Sequence, residues 1–449
     1  MPLTPGQQRM WFTEQLRPAD PAHVIQRAVR LRGALDVPAL RQAFGLLLRR
    51  HDALRTGYRS TPAGVEQTVH PPTPAGWETM DLSAAPLPAG SAALWAERRR
   101  RRPADLRGGQ VAGLAVLRLG PDDHLLLLTV HHIAFDGAST EVYLRELGTA
   151  YRAFADGSVP DLPPAPGHAQ YAARLVAAEP PDPEHRRYWA RALAGVRPVL
   201  ALPHDMPPRA GLTSSAHAVR VDPGPDSVTR LRDLGREYAV TPFMVMLACY
   251  AGLLARCGAD PDGWADVVVA VPSAGRGPRG APDSLVGFVA NLLPVRLNFS
   301  VREGLGALLR RTREACLAAG EHRLPYEQIV AASAVRRLPH RQSLAQVSFS
   351  LAGAPPVPDL GAGIKVTDWP LEPTSSRFEL EMHLEHTADA THGLLLASAD
   401  LFSRATAEAL AAAYEDLTCV WSARPDIPLL DLPLPDPPHA TPSEDVNHD

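Results

Sequence analysis

Apolar residues first recur at helical spacing along Leu40, Phe44, Leu47 and Leu48. That segment opens at Asp36-Val37-Pro38, an acceptor side chain at the cap with proline in the first turn. It ends near Arg50-His51, so a helix is predicted between them. Val111 to Leu119 then reads as a strand. Gly120-Pro121-Asp122-Asp123 turns the chain, and His124 to Val130 returns it as a second strand holding the apolar run Leu125 to Leu128. After a corner at Asp136-Gly137, Val142, Leu144 and Leu147 predict a helix from Thr140 to Phe154 with one buried face.

Two proline-rich stretches follow, Gly157 to Gly167 and Glu179-Pro180-Pro181-Asp182-Pro183, with a short helix around Tyr171 to Ala178 between them. Proline pre-extends a linker, so the domain boundary is expected in the second stretch. This gives an N-terminal lobe 1–178, a C-terminal lobe 179–434 and a proline-rich, polar tail 435–449 expected to be disordered. The second lobe repeats the vocabulary of the first. Thr241-Pro242 caps an apolar helix to Arg256, and Trp264 to Val271 is a valine-rich strand. A helix at Leu305 to Ala319, strands at Leu344 to Leu351 and Phe378 to Glu385, and a helix from Arg404 to Trp421 complete it. Two α/β halves of similar size are expected, with the strand-end motif facing their junction, where ligand sites are common.

Composition narrows the function classes. The chain has 449 residues, 45% hydrophobic, enough for two or three domains. A net charge of -4 gives no bulk drive towards nucleic acid or an acidic membrane. The 46 prolines are spread between periodic segments and read as loop punctuation. Arginine supplies nearly all the positive charge, Lys365 being the sole lysine. Cys249, Cys257, Cys316 and Cys419 lack metal-ligand spacing and read as small buried hydrophobes in a reducing compartment. The N-terminus lacks a basic segment followed by a long apolar core, and no run reaches membrane-spanning length, so a cytoplasmic, soluble protein is expected.

The candidate chemistry lies at Thr129-Val130-His131-His132-Ile133-Ala134-Phe135-Asp136-Gly137. A neutral imidazole delivered at a strand end can take or share a proton from an attacking amine or alcohol near physiological pH. His132 is the expected chemical residue, with His131 packing or fixing the loop. Asp136 is open to an acid-base or a structural role, and Gly137 suits a tight backbone close to substrate. The run Arg98 to Arg102 is open to two readings, a dock for an acidic partner or a solvated helix face, and the second is preferred.

Five blocks together resemble the condensation domains of nonribosomal peptide synthetases along nearly the whole chain. They are Leu3-Thr4-Pro5-Gly6-Gln7-Gln8-Arg9-Met10-Trp11, Arg50-His51-Asp52-Ala53-Leu54-Arg55-Thr56, the His131 to Gly137 motif, Gly275-Arg276 with Val286 to Arg296, and His322-Arg323-Leu324-Pro325-Tyr326-Glu327. Departures within them include Asp52 where glutamate is usual and Tyr326 in place of phenylalanine. The resemblance implies an α/β fold of two chloramphenicol-acetyltransferase-like lobes, a V-shaped pseudo-dimer with a central tunnel. It implies a reaction joining a carrier-protein-bound acyl thioester to an amine or hydroxyl, with no metal and no cofactor bound by this chain. Substrates would arrive on the phosphopantetheine arms of carrier proteins, and a soluble amine or alcohol acceptor is a further option. A monomer is expected.

The same resemblance assigns supporting roles. His132 acts as general base or as an orienting group, while Asp136 pairs with an arginine, Arg55 and Arg296 being the candidates. Gly137 shapes the turn or offers its N–H to an oxyanion, and Asn291 bridges the lobes. Gln7, Arg9 and Trp11 read as packing. Ala138 stands where many peptide-forming members have a large aromatic and Leu292 where threonine is commoner, which leaves the substrate subtype open. The aspartate-for-histidine signature of cyclising relatives is absent. With no adenylation or carrier domain in the sequence, a free-standing enzyme or an excised piece is expected. Two other functions compete: a CoA-dependent acyltransferase of the same superfamily, and a non-catalytic recruiting domain. The length argues against a one-lobe acetyltransferase. The intact His132 and Asp136 argue against a degenerate domain.

Overall fold

The Leu125–Leu128 run is continuous because its strand is covered on both faces. In the computed structural model, which describes residues 1–433 except 63, 74, 179–181, 210, 261, 278–279, 337–340, 343, 355 and 388–389, the strand Asp123–His131 is the middle of a five-stranded sheet. The order is Lys365–Asp368, Val24–Arg32, Asp123–His131, Ala112–Gly120, Trp77–Asp81. Leu126, Leu128 and Val130 meet Leu40, Phe44 and Leu47 of the helix Val37–Arg50 and Leu144 and Leu147 of the helix Gly137–Ala155. On the opposite face Leu125 and Leu127 pack with Ala92 and Ala96 of the helix Pro88–Arg100. Each leucine so buried stabilises the fold by about 1.5–3 kcal/mol. Register then fixes the functional end: Val24 lies opposite His131 and Ala112 opposite Val130, so the histidines leave the sheet at its edge of pairing.

The chain forms two interleaved compact units. The first is built from the described residues of Met1–Pro180, Ala274–Asn291 and Pro355–Glu372. The second is built from the described residues of Pro181–Ser273, Leu292–Ala354 and Pro373–Asp449. A contiguous C-terminal lobe from 179 to 434 is therefore corrected in its interior, since two of its segments belong to the first unit. One of them supplies the edge strand Lys365–Asp368, paired antiparallel to Val24–Arg32. Residues 179–181 of the expected linker and the expected tail 435–449 lie outside the described residues.

The second unit holds a six-stranded mixed sheet in the order Ala216–Val221, Thr391–Ser398, Leu380–His386, Val347–Ala352, Trp264–Ser273, Asn291–Ser300. Its core gathers Trp189, Tyr250, Phe349, Tyr414 and Trp421, all buried. The helix Pro242–Gly258 is apolar all round because it lies inside this core, with Thr241 accepting from the Met244 N–H at its start. No single helix among the described residues is long and apolar enough to cross a membrane.

Burial explains the cysteines and the arginine run. Cys249 and Cys257 are buried and Cys316 half-buried, and burial pushes all three thiols up to about 12, so they are inert at neutral pH. Cys419 is exposed, unlike the expectation. In the run Arg98 to Arg102, Arg99 pairs with Glu78 at 2.9 Å and Arg101 with Glu97 at 2.8 Å. Arg100 is buried, donating to Gln26 Oε1 at 3.1 Å, so only part of the run is a solvated face.

Candidate active site

After His131 the strand gives way to a single helical turn, His132–Ala134, and then to the helix Gly137–Ala155. His132 is half-buried, with Nδ1 2.7 Å from the carbonyl oxygen of Phe135. A carbonyl only accepts, so Nδ1 carries the proton and a neutral ring keeps its lone pair on Nε2. The ring packs edge-on to Phe288 at 5.1 Å between centroids. The loop beneath it is anchored from the first helix, Pro5–Leu16. Gln7 closes a capping box with Thr4, and its Nε2 donates to Ile133 O at 3.3 Å and Tyr58 Oη at 3.2 Å.

His131 turns the other way and is buried. Its Nδ1 accepts from the Ile133 N–H at 3.2 Å, which leaves the proton on Nε2, facing Glu14 Oε2 at 3.4 Å. His23 Nδ1 meets the same carboxylate oxygen at 2.8 Å. Burial would push the Glu14 carboxyl up, but the hydrogen bonds from His131 and His23 outweigh it and hold the group at about 2. Glu14, His23 and His131 are close enough to ring an ion. Yet the His131 Nε2 that faces the cluster carries a proton in this tautomer, so the donor set suits a hydrogen-bonded network and not a metal.

Asp136 is the node of the site. It is buried and caps the helix Gly137–Ala155, Oδ1 accepting from the Ser139 N–H at 2.9 Å and Ser139 Oγ at 2.7 Å. Arg276 grips both oxygens, Nη1 to Oδ2 and Nη2 to Oδ1, each at 2.9 Å. Oδ2 also accepts from the N–H groups of Val289 at 3.0 Å and Ala290 at 3.1 Å. Burial alone would raise the carboxyl, but the Arg276 pair and these donors hold it below the ordinary carboxylate range. With both oxygens saturated, Asp136 has no proton to give and none to take.

The expected partners of Asp136 are thereby corrected. Arg55 donates instead to backbone carbonyls, Leu48 O at 2.9 Å and His70 O at 2.5 Å. Arg296 belongs to the second unit, where it pairs with Asp266 at 2.8 Å. Each guanidinium is thus committed to acceptors of its own surroundings. Arg276 stands beside Gly275, whose φ of 66° is a left-handed turn that suits glycine. Gly275-Arg276 lies in one of the five blocks, and the glycine before the arginine is the sequence signal for such a turn, though it does not name Asp136 as the partner.

Two further residues escaped the sequence reading. Ser139 Oγ accepts from the Gly287 N–H at 3.0 Å and lies 2.9 Å from Gly287 O, tying the helix start to the 287–290 segment. His168 is buried above Gly287, where a Cβ would collide with its ring, and its Nε2 lies 3.2 Å from Phe288 O. Asp52 holds His168 in turn, accepting from the N–H groups of His168 at 2.8 Å and Ala169 at 3.0 Å, and so caps a helix that lacks its own side-chain cap. Asn291 is half-buried at the first position of the strand Asn291–Ser300. Gly137, by contrast, is exposed, and a Cβ there would meet nothing within 4 Å. The space in front of it is open at the first residue of a long helix.

The chain has the mixed α/β fold of the chloramphenicol-acetyltransferase-like class, shared with the X-domain and condensation domains among the solved structures it resembles. More closely, it belongs to the condensation-domain family, whose model matches residues 1–438. One of the linear gramicidin synthase proteins of Brevibacillus parabrevis is 32% identical over 443 residues, 97% of this chain and 6% of that protein. Phosphinothricin tripeptide synthetase PhsC of Streptomyces viridochromogenes is 34% identical over 357 residues, 78% of this chain and 32% of that protein. The chain thus spans a third or less of these synthetases. Among solved structures, the X-domain from teicoplanin biosynthesis has a TM-score of 0.83 at 27% identity, covering 96% of this chain and 97% of that one. SgcC5 from Streptomyces globisporus shares the fold, with a TM-score of 0.79 at 24% identity, covering 95% of this chain and 100% of that one.

Proposed function

We propose that this chain is a working condensation domain that transfers an acyl or aminoacyl group from a carrier-protein phosphopantetheine thioester to an amine or hydroxyl acceptor, giving an amide or an ester. The observation that carries the reading is the fixed tautomer of His132, whose Nδ1–H is committed to Phe135 O at 2.7 Å. The acceptor's proton passes to His132 Nε2 as its nitrogen or oxygen bonds to the thioester carbonyl. The carbon–sulfur bond then breaks, and the departing thiolate takes that proton. A thioester is already activated, so orienting the nucleophile against the carbonyl supplies much of the rate. Gly137 leaves room for the acyl group, and the start of its helix offers N–H groups and a positive dipole end to the developing oxyanion. Asp136 and Arg276 are positioning residues that hold the helix start and the 287–290 segment in place.

A second reading, recruitment of a partner enzyme without condensation, is favoured by one observation. A structure similar at TM-score 0.83 and 25% identity is the X-domain in complex with OxyB from teicoplanin biosynthesis. Intact-mass analysis of acyl-loaded carrier protein mixed with this chain and a panel of amines and alcohols separates the readings. Loss of the acyl group from the carrier with matching product mass is expected. No transfer to any acceptor supports recruitment, and transfer from acyl-CoA with no carrier present supports a CoA-dependent acyltransferase.

A further inference from the structure

A second hydrogen-bonded row of side chains lies wholly within the second unit. The strands Val347–Ala352 and Leu380–His386 pair in parallel with Ser350 opposite His383. Ser350 Oγ is 2.7 Å from His383 Nδ1, and His383 Nε2 is 2.8 Å from Glu381 Oε2. Glu381 and His383 are two apart on one strand and so share a face.

Glu381 is buried, and its other oxygen accepts from Ser376 Oγ and from the N–H groups of Arg377 and Phe378. Burial pushes its carboxyl up, but the His383 hydrogen bond and the neighbouring positive groups outweigh that and hold it at about 2. An ionised carboxylate only accepts, so His383 carries its proton on Nε2 and keeps the lone pair on Nδ1. The Ser350 hydroxyl therefore donates to a base that a buried carboxylate orients.

Burial of Glu381 needs only the Nε2–H of His383. The Ser350 bond, on the far side of the ring, adds nothing to that satisfaction. It lies on the reachable side: the His383 side chain is 38% exposed while Glu381 is 3% exposed, and Ser350 is half-buried. A nucleophile hydrogen-bonded to a base, with the base oriented by a third group, is the arrangement that activates a hydroxyl towards carbonyls.

We propose that Ser350, His383 and Glu381 form a second acyl-transfer centre, with Ser350 Oγ accepting the acyl group of a small activated ester or thioester. Ser350 Oγ bonds to the carbonyl carbon while its proton moves to His383 Nδ1. The bond to the leaving alkoxide or thiolate breaks, and that group takes the proton as it departs. Water, deprotonated by the same nitrogen, then releases the acid and restores the serine, so the net change is hydrolysis.

The centre does not depend on the His132 reading, because its test needs no carrier protein and no acceptor. Mixing the whole chain with p-nitrophenyl acetate should give a stoichiometric burst of p-nitrophenolate and an acetyl group on Ser350 by peptide mass mapping. Ser350→Ala should lose the burst, and His383→Gln should slow it by about 10²-fold or more, the range of general-base assistance. An unmodified Ser350 in the wild-type chain, a full burst in Ser350→Ala, or a His383→Gln burst at the wild-type rate would each overturn the proposal. Peptide mapping of the wild type decides the matter even if the histidine variant fails to fold.

Discussion

Each of the two units holds a histidine with one ring nitrogen committed to an oxygen, but the oxygens differ. In the first, His132 donates to the neutral carbonyl of Phe135, while the carboxylate of the motif, Asp136, is saturated by Arg276, Ser139 and two backbone N–H groups. In the second, His383 donates to the carboxylate of Glu381 itself. A carbonyl fixes tautomer and direction. A buried carboxylate also stabilises the imidazolium that forms when the ring takes a proton. His383 is accordingly arranged to activate a weak hydroxyl. On the proposed function, His132 would orient a nucleophile towards an electrophile that arrives activated, while the carboxylate beside it holds the helix start and the 287–290 segment.

Removing the cation from the Asp136 node should give the largest stability loss. Arg276→Ala leaves a buried carboxylate unpaired and should cost about 3–5 kcal/mol by urea unfolding. Arg276→Lys should recover only part of it, because an ammonium cannot reproduce the two parallel hydrogen bonds. Full recovery would mean that charge alone holds the node. Next, Gly287→Ala drives a methyl into the His168 ring and should cost about 1–3 kcal/mol in the same assay. The smallest effect concerns the buried network behind His131. Glu14 titrates at about 2, below its ordinary 4.5, so its contribution is complete above 4.5 and is lost as pH falls towards 2. The gap in melting temperature between wild type and Glu14→Gln should therefore shrink on acidification through that window. A gap constant with pH would show that the hydrogen bonds and not the charge matter.

Periodicity and capping made most elements legible before the structure. Asp36 and Thr241 do cap helices, and the Gly120–Asp123 turn does join two strands. The strand Val24–Arg32 carries no such clear signal, because its arginines interrupt the apolar pattern and are neutralised from elsewhere, Arg27 by Asp368. Within the site, His132 and Asp136 were legible from local spacing, whereas the identity of the arginine was not. Arg276 lies 140 positions from Asp136, and only the tertiary path of the Ala274–Asn291 segment into the first unit brings it there. Ser350 and His383 are 33 positions apart and meet only through the register of a parallel strand pair. Such contacts follow from the fold and leave no mark on local composition.

The central claim, that His132 is the chemical residue of a condensation site, is tested most directly by single-turnover transfer from an acyl-loaded carrier protein to its acceptor. A His132→Ala chain with wild-type melting behaviour should transfer about 10²–10⁴-fold more slowly. Transfer at the wild-type rate by that folded variant would contradict the account.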